Sequence, residues 1–166
     1  MPTKNFALAA GVLYVIVGIL GFFPGLLAPV PAGAPELAIK TGYGYLFGLF
    51  PINVLHNVVH LGIGIWGLVA YRNLGSSITF ARGLAIIYGA LTIMGFFPIL
   101  KTTFGLIPVF GHDIWLHAIT AIVAASRSDT SGAGGTESRL ISTARGEGAC
   151  ANKQAKVKSG VFINSL

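Results

Sequence analysis

Hydrophobic residues fall in four long blocks, separated by stretches rich in glycine, proline and charge. The first, Phe6–Phe23, is uncharged over 18 residues, and at about 1.5 Å per residue it reaches across a hydrocarbon layer of roughly 30 Å. Its length, and the lack of a small-residue cleavage pattern after it, argue for a retained helix and against a signal peptide. Ala7, Gly11, Tyr14, Gly18 and Gly21 fall on one face, where small residues let a neighbouring backbone come close. Pro24 ends the run, because proline lacks an N–H and restricts the residue before it. A loop from Gly25 to Thr41 holds Pro29, Pro31, Pro35, Glu36 and Lys40, and the aromatic, glycine-rich Tyr43–Phe50 that follows suits a headgroup boundary. Pro51, placed in a first helical turn, opens a second helix over 52–70, with Trp66 and Tyr71 near its far interface. A polar turn over 71–79 leads to a third helix over 80–100, and a shorter fourth covers 109–125.

These blocks repeat. Gly21-Phe-Phe-Pro24 returns as Gly95-Phe-Phe-Pro98, and Phe6, Ala7 and Tyr14 return as Phe80, Ala81 and Tyr88, all at an offset of 74. Across 6–26 against 80–100, nine of 21 positions are identical. Phe47-Gly-Leu-Phe-Pro51 returns as Phe104-Gly-Leu-Ile-Pro108 at an offset of 57, and the difference, 74 minus 57, places 17 extra residues in the first long loop. The chain thus reads as two tandem helical hairpins entering a bilayer in the same direction, related by a pseudo-two-fold axis along the membrane normal.

Composition decides the solvent. Hydrophobic residues make up 54%, charged residues 10%, and mean hydropathy is +0.77, whereas soluble domains carry roughly 25% charge. The expected fold is all-α: an integral membrane four-helix bundle over 1–127, with a polar, disordered tail from 128 to 166 rich in Ser, Gly, Ala and Lys. The net charge of +6 is no argument for nucleic acid, because the basic residues sit at segment ends and in the tail. Lys4, Arg72, Arg82 and Arg127 share one side against Lys40 and Lys101 on the other, which puts both termini in the cytoplasm. The expected partners are the lipid bilayer and a further copy or membrane protein bound through the glycine-rich helix faces. Cys150 is the only cysteine, so no intrachain disulfide forms.

Against this apolar background one stripe stands out. Asn53, His56, Asn57, His60 and Gly64 recur at three- and four-residue spacings on one helix face, and Asp113 and His117 take the places of His56 and His60 in the second unit. Polar groups inside a membrane bundle are costly and turn inward. The first reading is structural: interhelical hydrogen bonds of about 1 kcal/mol each fixing the register of the bundle. The second is a ligand site, either a divalent metal held by His56, His60, Asp113 and His117 or a haem b between His60 and His117. A proton or small-solute path ranks below both, since helices one and three place no charge near their middles. No nucleophile–base spacing or phosphate loop points to an enzyme.

Asn53-Val-Leu-His-Asn-Val-Val-His-Leu61, together with His112-Asp-Ile-Trp-Leu-His117, resembles a bacterial membrane family, domain of unknown function 4383, over roughly residues 4–125. The resemblance implies a four-helix protein of the bacterial plasma (inner) membrane with no assigned activity. Ile114 stands where that pattern more often has asparagine, which weakens any symmetric polar site.

Overall fold

A computed structural model describes residues 2–128. The chain runs through α1 (Pro2–Leu20), a 3-10 turn (Pro24–Leu26), β1 (Leu27–Ala28), β2 (Gly44–Leu46), β3 (Phe50–Ile52), α2 (Val54–Ala70), α3 (Leu74–Phe96) and α4 (His112–Ser128). It is mostly helical. The tail expected from 128 onward lies, apart from Ser128 in α4, outside the described residues.

The all-α expectation needs one correction, because the first long loop carries a three-stranded antiparallel sheet in the order β1-β2-β3. Leu27 pairs with Leu46, and Tyr45 pairs with both Ala28 and Pro51. Phe47 and Gly48, at φ 54° and 72°, turn β2 back toward β3. Pro51 therefore lies in a strand and not in a helical turn. Its missing N–H is tolerated because β3 is an edge.

Helix ends follow from local chemistry. Asn53 and Asn73 cap α2 and α3, each side-chain oxygen accepting from the backbone three residues on, at 2.9 and 2.8 Å. That cap starts α3 at Leu74 and makes most of the expected 71–79 turn helical; Ser77 and Thr79 satisfy their hydroxyls on carbonyls four residues back. At the other end Phe23 and Phe97, each just before a proline, are extended, so α1 and α3 stop at Leu20 and Phe96, short of 23 and 100.

The dominant pairs are α1 on α2 and α3 on α4. Glycine makes the first pair close: a methyl on Gly11 would lie 2.8 Å from the Leu68 nitrogen, and one on Gly64 2.7 Å from the Val15 nitrogen. The small-residue face of α1 is thus occupied inside the hairpin by Gly64 and Gly67 of α2. Between the hairpins sits a core of Ala7, Ala10, Tyr14, Ala70, Phe80, Leu84, Tyr88 and Ala124.

The duplication is visible in the contacts. Two pairs of repeat-related residues meet each other, Phe6 with Phe80 (ring centroids 6.3 Å) and Tyr14 with Tyr88 (5.6 Å), as residues on a two-fold axis must. Thr3 of α1 donates to the Arg127 carbonyl of α4, and its counterpart Ser77 of α3 donates to the Ala70 carbonyl of α2, both at 3.0 Å. Phe104 and Gly105, at φ 60° and 85°, repeat the turn of Phe47 and Gly48.

Candidate functional site

The stripe on α2 faces inward: His56, Asn57 and His60 are all buried, as are Asp113 and His117 on α4. Helical spacing stacks His56 on His60 at 4.4 Å between ring centroids. His60 meets Tyr14 at 5.4 Å, and its counterpart His117 meets Tyr88, the counterpart of Tyr14, at 4.9 Å. The tyrosine rings touch across the axis, and Thr120 lines the smaller cavity beside Tyr14. The centre therefore holds a cluster of five rings, His56, His60, Tyr14, Tyr88 and His117. Sequence reasoning used the two tyrosines only as markers of the repeat; their shared offset was the signal that they sit together.

Asn53 stands apart from the other five residues of the stripe. Besides capping α2, its amide nitrogen donates to Ile39 O at 3.0 Å and to Leu106 O at 2.7 Å, so it ties the long loops of both hairpins to the start of α2. The others each keep one buried polar atom without a hydrogen-bond partner: His56 Nδ1, Asn57 Oδ1, His60 Nδ1, Asp113 Oδ2 and His117 Nδ1. An unmade buried hydrogen bond costs about 1–3 kcal/mol. Side-chain bonds that join one element to another are made by Asn53, Thr3 and Ser77. Asn57 lies tight against α1, where a methyl on Gly21 would come 2.1 Å from its Oδ1. In the second hairpin Ile114 meets Gly95 in the same way, so Asn57 has no polar counterpart there.

Two cavities border these rings, of about 180 and 60 Å³. The larger is lined by His56, Val59, His60, Ile63, Ile87, Tyr88 and Leu91, together with His117. The smaller is lined by their repeat counterparts Asp113, Leu116, His117, Thr120, Leu13, Tyr14 and Val17, together with His60 and Tyr88. The larger one gains Thr103, Ile107 and Val109 from the loop before α4. Outside the helices, burial and the Asp113 carboxylate raise the pKa of the Tyr45 phenol.

His60 and His117 each pack against a tyrosine ring. Among the described residues, no three His, Cys, Asp or Glu side chains are placed to hold a metal ion, so His56, His60, Asp113 and His117 do not form the four-residue shell.

The family described as domain of unknown function (DUF4383) matches residues 4–128. No curated protein and no solved structure matches the chain.

Proposed function

Taking as premise that the chain belongs to the DUF4383 family, which assigns no activity, we propose that it is a small multi-pass integral membrane protein. Its role is structural or accessory, and a His/Asn/Asp cluster lies inside its bundle. The observation that carries this reading is the sidedness of the bundle. Leu13, Ile65, Val69, Ile86, Ile93, Ile119 and Ile122 lie 58–72% exposed, while Asn57, His60, Asp113 and His117 are 7% exposed or less. Water would favour the reverse; lipid favours this.

Length agrees with that reading. α1 and α3 are long and apolar enough to cross a membrane, and α2 is apolar over 17 residues. Lys4, Arg72, Arg82 and Arg127 sit at or near the end where α1 begins and α4 finishes, and Lys4 lies over the Tyr71 ring at 5.8 Å. Lys40 and Lys101 occupy the loops at the other end. By the positive-inside rule both termini are cytoplasmic in a bacterial plasma membrane. Fractionation tests this directly. The chain should stay in the membrane pellet through an alkaline carbonate wash, and cytoplasmic reporters fused at either terminus should be active. Release into the supernatant would end the reading.

A further inference from the structure

The larger cavity combines features that a bundle needing only to pack would not keep. Its volume, about 180 Å³, compares with the roughly 150 Å³ of an engineered apolar cavity that takes up benzene. Six of its 11 lining residues are aliphatic, Val59, Ile63, Ile87, Leu91, Ile107 and Val109. Three imidazoles border it, and each has an Nδ1 that is buried without a partner.

A neutral imidazole has one nitrogen that donates and one that accepts, so a partner for these Nδ1 atoms must be able to do either. A hydroxyl both gives and accepts a proton, and it satisfies an Nδ1 in either tautomer. Water could supply that group but would leave the aliphatic wall wetted.

We propose that this cavity binds a compact hydroxylated molecule with an apolar body, of the size and chemistry of a phenol. Its hydroxyl sits against the imidazole nitrogens and its ring against Val59, Ile63, Ile87 and Leu91. The way in lies between α2 and α3, where Val59 and Ile87 line the cavity and are also 39% and 41% exposed on the outer face. That route rests on the membrane reading, since it delivers the ligand from lipid; the site itself does not. The twin cavity is an internal control. At about 60 Å³, with Asp113 for His56 and Thr120 for Ile63, it has no room for a six-membered ring.

The test uses the full chain in detergent, with 4-fluorophenol as probe and empty micelles subtracted. A saturable bound fluorine resonance is expected, displaced by phenol and not by toluene. Leu91→Phe, which fills the cavity, should abolish it. His56→Leu should weaken phenol about tenfold, the worth of one buried hydrogen bond, and let toluene compete. Thr120→Val, in the twin cavity, should change nothing. Helical circular dichroism and elution as a single species qualify each variant, and if Leu91→Phe fails to fold, the His56→Leu exchange of preference decides. Absence of saturable binding by folded wild type (a cavity holding water only) would overturn the proposal. So would equal competition by toluene, or binding unchanged in a folded Leu91→Phe protein. A chain found in the soluble fraction that still binds the phenol would sink the membrane reading and leave the site standing.

Discussion

The first hairpin brings α2 against α1 through glycine at 11, 64 and 67, whereas the second has alanine at the repeat-related positions 85, 121 and 124. The polar residues diverge too. Asn53, His56 and Asn57 on α2 correspond to Phe110, Asp113 and Ile114 in the second unit, while His60 and His117 agree. One backbone plan has therefore been kept with two different fillings. What both halves share lies on or beside the axis: the tyrosine pair, the facing histidines and the hydroxyl-to-carbonyl bonds at the helix ends. What differs lies around the cavities, and the roomier cavity belongs to the half with His56. Symmetry here governs packing, and asymmetry governs what the interior can accept.

The largest effect should come from Asn53, whose repeat counterpart is the apolar Phe110. Asn53→Ala removes a helix cap and two donors to buried carbonyls, so unfolding in detergent should become easier by about 3 kcal/mol. Asn53→Asp keeps the cap and should recover about 1 kcal/mol of that. A change within a few tenths of wild type would show that the loops are not tied through this residue.

Next come the crossing residues. Gly64→Ala meets the Val15 nitrogen and the Gly11 carbonyl, both rigid backbone, and should cost roughly 2 kcal/mol by overpacking. The reverse change in the other hairpin, Ala121→Gly, should cost about 1 kcal/mol through helix propensity alone. Equal costs would mean that the two crossings are equally close. Smallest are the end bonds: Thr3→Val and Ser77→Ala should each lose about 0.6 kcal/mol, typical of hydrogen bonds between membrane helices, and should agree with each other. A wide gap between them would break the two-fold relation at that end.

Much of this was legible in the chain. The offsets of 74 and 57 carry the duplication, and i, i+4 spacing put His56 and His60 on one inward face. Strands of two or three residues leave no alternation to read, so the sheet stayed hidden behind Pro51 and the aromatic run. Spacing also says which side chains share a face but not what stands opposite; hence the packing of His60 on Tyr14 and of His117 on Tyr88 was not legible. The reach of Asn53 to Ile39 and Leu106 spans loops that no local pattern joins.

The two-fold arrangement requires repeat-related residues of α1 and α3 to meet at the axis. Paired cysteines in a Cys150→Ser background test this in intact membranes with a short bis-thiol cross-linker. Phe6→Cys with Phe80→Cys should give a cross-linked monomer, while Leu13→Cys with Ile87→Cys, repeat-related positions that line separate cavities, should not. Cross-linking of the 13/87 pair without the 6/80 pair would contradict the two-fold arrangement and the buried centre built on it.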